Sequence, residues 1–255
     1  MKLITLLENT TCSPELVCEH GLSLYLETQG RRILFDAGQT GAFAGNARKL
    51  GVDLGAVDLA VLSHGHYDHG GGLARFLEEN PAAPVYVNQH AFEPHYNGNA
   101  KYIGLDPELN KNTRLIFTDR ERSLGAGLHL YTLPLPPMDS AGLTVLEAGQ
   151  LRPEDFRHEQ YLLVEEGGRR ILFSGCSHKG ILQIMEHFRP DVLIGGFHFM
   201  KIEDEAVLKQ AAEALLRYPT TYYTGHCTGT RQFAILKERM GHRLHALSTG
   251  SCVIL

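Results

Sequence analysis

Two stretches of this chain repeat one another at a fixed distance. Leu24 to Gly38, LYLETQGRRILFDAG, and Leu162 to Cys176, LLVEEGGRRILFSGC, align with Arg31 on Arg169, an offset of 138 (169 minus 31). Each joins an apolar strand-like run to a second run, Arg-Arg-Ile-Leu-Phe, through a turn at Gly30 or at Gly167 and Gly168, which is the pattern of a β-hairpin. Helix-like sequence and a further apolar strand follow in both places, DLAVLSHGH in the first half and DVLIGGFHF in the second. A chain that repeats this way is expected to fold as two similar halves, each built on its own sheet.

The remaining pattern fits that expectation. Helical periodicity marks Ala42 to Leu50, Leu73 to Glu79, Ile181 to Phe188, Glu203 to Arg217 and Arg231 to Met240. Strands are expected at Lys2 to Leu7, Val85 to Asn88, Arg114 to Phe117, Leu128 to Leu133, Asp191 to Ile194, Thr220 to Tyr223 and Arg243 to Leu247. Strands alternating with helices predict an α/β (α+β) domain of two sheets with helices on their outer faces, spanning residues 1–255. From about Gln89 to Ser140 the pattern turns irregular and rich in Asn, Gly and Pro, as expected of a lid or insertion forming a pocket wall. His90 and His95, with Tyr96 and Tyr102, are its candidate substrate contacts.

The chemistry is concentrated in LSHGHYDHGGGL, directly after the apolar stretch Asp58 to Ser63. In extended backbone, residues two apart point to one side, so His64 and His66 can offer two imidazoles to one cation. Asp68 and His69 follow where Gly70, Gly71 and Gly72 let the chain bend, bringing a carboxylate and a third imidazole to a second cation. Three other strand ends supply further candidates: Cys176 and His178 in FSGCSH, His198 in GGFH, and His226 in TYYTGHCTG. Cys176 is a possible thiolate ligand that would bias the site towards zinc. Cys227 is expected to pack away from His226, and Cys252 in the apolar tail to be a small buried hydrophobe.

Two cations about 3.5 to 4 Å apart would make a water between them a nucleophile near neutral pH, with Asp68 accepting its proton and His198 donating to an oxyanion or leaving group. Composition narrows the partners. The formal net charge is -5 and no Lys/Arg block occurs, which argues against a nucleic-acid partner. The five cysteines form no Cys-x-x-Cys pair, and no eighteen-residue apolar run occurs. These features point to a cytoplasmic protein with a small-molecule substrate and no membrane partner; oligomeric state is not encoded in them.

The run His-x-His-x-Asp-His after an apolar strand resembles the signature of the metallo-beta-lactamase superfamily. The resemblance implies a four-layer αββα sandwich of two mixed sheets and two pseudo-duplicated halves. EHGLSLYLE, LFDAGQ, GCSHKGI, GGFH and GHCTG are similar to one branch, which holds dihydropterin ribofuranosyl-aminobenzene phosphate synthases and many bacterial proteins. It implies His64 and His66 on one metal, Asp68 and His69 on the other, and His226 as the late histidine. The chain departs from it at Gly175-Cys176, where relatives carry Gly-Asp, and in lacking a Gly-His-Thr motif; His178 is the substitute third histidine, and His158 the alternative. Diiron reductases of this fold have Glu where this chain has His66. The expected function is hydrolysis of a small anionic substrate, a phosphoester first, by two divalent ions, zinc before manganese or iron. A pterin transferase and a metal-dependent binding module are the alternatives.

Overall fold

The computed structural model describes residues 1–99 and 101–255. The first half comprises β1 (Lys2–Leu7), β2 (Ser23–Thr28), β3 (Arg31–Phe35), α1 (Ala42–Lys49), β4 (Leu59–Val61), α2 (Tyr67–Gly70), α3 (Leu73–Glu79), β5 (Val85–Asn88), β6 (His95–Asn97), β7 (Lys101–Tyr102) and β8 (Leu115–Thr118). There follow β9 (Arg122–Gly125), β10 (Leu128–Tyr131), β11 (Leu143–Glu147), β12 (Gln150–Pro153), β13 (Tyr161–Glu166) and β14 (Arg169–Phe173). The chain ends with α4 (Ile181–Phe188), β15 (Val192–Ile194), α5 (Glu205–Leu215), β16 (Thr221–Thr224), α6 (Thr230–Met240), β17 (Leu244–Ala246) and β18 (Cys252–Ile254).

The repeat in the sequence is a repeat in the topology. One seven-stranded sheet runs β18-β1-β2-β3-β4-β5-β8 and the other β17-β16-β15-β14-β13-β10-β9. In each, an antiparallel hairpin (β2–β3, β13–β14) continues into three parallel strands (β4, β5, β8 and β15, β16, β17). The hairpin turns are Gln29-Gly30 (φ 53° and 73°) and Gly167-Gly168 (φ 60° and 77°). Positive φ at both central residues is what a two-residue hairpin turn of the right twist requires.

Arg-Arg-Ile-Leu-Phe serves both faces of its sheet. Ile33 and Phe35 meet Ile171 and Phe173 in the core between the sheets. The equivalent Phe35 and Phe173 rings lie 5.5 Å apart. Leu34 and Leu172 point the other way, into the cores under the outer helices. Strands buried on both faces read as continuous apolar runs, which is why the echo is visible at all. Phe43 and Ala47 of α1 with Phe76 of α3 cover the first sheet; Ile184, Met185 and Phe188 of α4, Leu215 of α5 and Leu236 of α6 cover the second. Three apolar cores between four layers make an αββα sandwich.

Two expectations need correction. The span 89–140 is not one irregular lid: β8, β9 and β10 join the main sheets, while β6 and β7 pair with β11 and β12 in a small third sheet ordered β12-β11-β6-β7; Ala100 lies outside the described residues. Cys252 is exposed rather than buried. It lies on the edge strand β18, where Val253 takes the place on the inter-sheet core and its neighbours alternate outward.

Candidate metal centre

Ligand-type side chains follow the carboxyl ends of β3, β4, β14, β15 and β16, all members of parallel ladders. Parallel strands end on one side of a sheet, so residues far apart in sequence arrive at one rim. Asp36 follows β3, Ser63 to His66 follow β4, Cys176 to His178 follow β14, His198 follows β15, and His226 follows β16. The one-turn helix α2 adds Asp68 and His69. Gly175 (φ 60°) is where the sheets touch, since a β-carbon there would strike the Ser63 side chain.

Hydrogen bonds fix the imidazole tautomers. Asp36 Oδ2 accepts from His69 Nδ1 at 2.6 Å and from Ser63 Oγ at 2.7 Å. Ser63 Oγ spends its one hydrogen on that carboxylate, so it accepts from His64 Nδ1 at 2.8 Å. Asn9 Oδ1 accepts from His226 Nδ1 at 2.9 Å. In the neutral rings each of these Nε2 atoms is thereby left with its lone pair facing the centre, the arrangement found behind metal-binding histidines.

These lone pairs converge. His69 Nε2 lies 3.1 Å from both His226 Nε2 and Cys176 Sγ, and His226 Nε2 lies 3.2 Å from Asp68 Oδ2. His64 Nε2 faces His178 Nε2 at 3.3 Å, and Cys176 stands within reach of both groups. Ligand atoms around a tetrahedral ion at about 2.1 Å lie about 3.4 Å apart, so both groups have the spacing to hold a divalent cation. Imidazole lone pairs facing each other this closely repel unless a cation or proton lies between them.

Electrostatics keep the site ready. Burial, and then neighbouring imidazoles, push His64, His66 and His178 well below the ordinary imidazole range. Burial pushes His226 down to about 4. Asp68 would rise on burial, but the hydrogen bond from His20, with the His226 and His69 imidazoles close by, holds it well below the usual carboxylate range. His69 is the exception: burial lowers it, yet the Asp36 carboxylate outweighs that and raises it. The Cys176 thiol is pushed well up by burial and by Cys227, so cation binding there must displace a proton.

Two measurable consequences follow. Asp36→Asn removes the charge that orients His69, and metal affinity should fall by about 10- to 100-fold with little change in fold, as read by competition with a chromophoric chelator. In the metal-free protein, imidazoles held neutral by burial bind protons only when unfolded. For His226 stability is fully present above about pH 6.5 and is lost as pH falls towards 4, by up to about 1.4 kcal/mol per pH unit. His69 works in the opposite sense, its contribution being present below about pH 6.5 and lost above its raised value. Urea unfolding of chelator-treated protein should therefore weaken between pH 6.5 and 5, and a flat profile would contradict this.

The structure brings together His64, His66, Asp68, His69, Cys176, His178 and His226. Of the two third-histidine choices, His178 is the one beside His64, its ring stacked 4.3 Å over Phe156. His158 is buried next to His66, but its Nδ1 accepts from Gly65 N at 2.7 Å, which puts its hydrogen on Nε2. His95 is not a solvent-facing substrate contact: it is fully buried and stacked 4.1 Å over His158. His90 is not at the centre either; it pairs with Glu93 at 2.8 Å and lines a separate cleft. Cys227 packs as expected, though in a tight turn rather than extended backbone. Sequence reasoning passed over Asp36, Asn9, Glu154 and His20, whose Nε2 lies 3.2 Å from Asp68. Asp36 and His20 stood inside LFDAGQ and EHGLSLYLE, where a lone polar residue beside a strand gives no spacing signal.

Asp36, Ser177, His198 and His226 adopt positive φ (59°, 57°, 57° and 48°). Such conformations in non-glycine residues cost on the order of 1 kcal/mol each and gather where geometry is functional. Beside His178, a cleft of about 690 Å³ is walled by Phe197, Phe199, Ile202 and Val207, with His198, Lys201 and Asp139 among its polar members.

A duplicated αββα sandwich whose strand ends converge on imidazoles, a thiol and carboxylates defines a metal-dependent protein of the lactamase type. The chain belongs to the metallo-beta-lactamase superfamily, whose family model it matches over residues 16–226. It is similar to an uncharacterized protein, MJ0448, of Methanocaldococcus jannaschii, 28% identical over 92% of this chain and 94% of that protein. It is also similar to the 7,8-dihydropterin-6-methyl-4-(beta-D-ribofuranosyl)-aminobenzene-5'-phosphate synthase of the same organism, 26% identical over 92% of this chain and 90% of that one. Among solved structures, Tm1679, described as a metal-dependent hydrolase of the beta-lactamase superfamily, superposes with a TM-score of 0.84 at 28% identity, over 100% of this chain and 99% of that one. No helix among the described residues is long and apolar enough to cross a membrane.

Proposed function

We propose that this protein is a metal-dependent hydrolase of a small substrate with an anionic, phosphoester-type head and an apolar body. The observation that carries this reading is the cleft beside His178, apolar on most of its walls, where Lys201 is the cation and Asp139 the one carboxylate among the lining residues. Asp68, His69, Cys176 and His226 would hold one divalent ion, and His64, His66 and His178 a second, zinc being favoured by the thiol. Bound there, such ions supply Lewis-acid polarisation and lower the pKa of water.

The chain's own residues do the rest. Lys201 attracts the anionic head and the aromatic walls hold the body against water. His198, pushed down to about 4 by burial and by Lys201, is neutral at pH 7. It therefore serves as an N–H donor to a developing oxyanion rather than as a general acid. Asp68, ionised at neutral pH, accepts a hydrogen bond from the attacking water and holds its orientation. Zinc-loaded protein should hydrolyse at least one aryl phosphoester in a panel that includes thioesters and lactones, and Lys201→Ala should raise its KM about tenfold while leaving kcat nearly unchanged. Failure across the panel removes the reading.

One observation favours a second reading, transfer of a pterin group from its diphosphate to an aryl acceptor: the full-length similarity to the synthase. Release of pyrophosphate from a dihydropterin diphosphate in the presence of an aryl acceptor, without hydrolysis of the panel, would decide for it.

A further inference from the structure

A second group of buried side chains enters that reading only through His66. His66, His95, His158 and Glu154 bring ligand atoms within 4.8 Å of one another, and all four are at most 4% exposed. Nε2 of His66, of His95 and of His158 has no hydrogen-bond partner among the described residues. An unsatisfied buried polar atom costs about 1 to 3 kcal/mol, so three in one pocket imply an occupant.

The surrounding bonds say what it is. Glu154 Oε2 accepts from His95 Nδ1 at 2.6 Å, which turns the lone pair of His95 Nε2 inward. Glu154 Oε1 takes only the Phe156 N–H, at 3.1 Å, and lies 3.7 Å from His158 Nε2. No Lys or Arg pairs with this carboxylate among the described residues, although a buried charge needs a counter-charge. The inward lone pair of His95 and the unpartnered Nε2 of His66, beside a carboxylate that no Lys or Arg pairs among the described residues, are what a cation satisfies. Carboxylate, imidazole and ion in series form the usual support of a metal-binding histidine.

We propose that His95 is a metal ligand, delivered by β6 of the small sheet to the ion that His66 holds. Glu154 orients it and balances the charge. His158, with its hydrogen on Nε2, faces the ion as a donor to whatever fills a remaining position. The third sheet is thereby tied to the metal centre, and loading the metal orders both together.

Cobalt(II) titration of the metal-free protein against a competing chelator tests this without any assay of turnover, so it can fail independently of the hydrolase reading. His95→Phe keeps the stacking on His158 but cannot ligate; one cobalt equivalent should bind at least about tenfold more weakly, with altered d–d absorption. His95→Cys keeps a ligand; binding should survive, with thiolate-to-cobalt absorption added to that of the wild type. Unchanged affinity and spectra in both variants would overturn the proposal, as would an ordered water bridging the three imidazoles in a crystal of the metal-loaded protein. If His95→Phe does not fold, His95→Cys decides, its added absorption supporting the assignment and its absence overturning it.

Discussion

Asp68→Asn is expected to cut turnover of any substrate found for this protein by about 10³-fold, in the range set by loss of an essential polar catalytic group. The substitution keeps the side chain's size and its ability to accept from His20, 3.2 Å away, but removes the charge. Its effect should divide in two. Affinity for the ion at His69 and His226 should fall about 10- to 100-fold, and the remaining loss should persist when metal is added to saturation. A merely structural Asp68 would lose activity only through unfolding, so circular dichroism at saturating zinc separates the cases. Full recovery of kcat with excess metal would reduce Asp68 to a ligand alone.

The second large effect is at the contact between the sheets. Gly175 has φ 60°, and a β-carbon there would drive into Ser63, the hydroxyl that links Asp36 to His64. Gly175→Val should cost about 3 kcal/mol or more, from a strained φ for a β-branched residue and from overpacking. Metal affinity should fall with stability, because the displaced serine no longer fixes the His64 tautomer. Urea unfolding and chelator competition on the same preparation read both; a variant as stable as the wild type would contradict the close approach described here.

The architecture was legible because the halves repeat a strand pattern buried on both faces: Ile33, Leu34 and Phe35 recur as Ile171, Leu172 and Phe173, each facing the same kind of core. The His64 to His69 run was legible because local spacing alone brings its side chains together. His178 and His226 could be found from the glycines that end their strands. The small sheet could not: β12 is exposed along its whole length and β7 has two residues, too little for any periodicity. His95 and His158 meet only through that sheet and the bend before β13, so no spacing in the sequence joins them. Asp36 acts through Ser63 and His69, a relay visible only when strand ends are seen side by side.

Cations held jointly by the two halves of the chain are central to the proposed chemistry. Anomalous diffraction at the zinc absorption edge, on crystals of the metal-loaded protein, tests this most directly. The expected result is an ion about 2.0 to 2.3 Å from Nε2 of His69 and His226, Sγ of Cys176 and a carboxylate oxygen of Asp68, with further density beside His64 and His66. Zinc density confined to surface histidines, with none between His69 and His226, would contradict it.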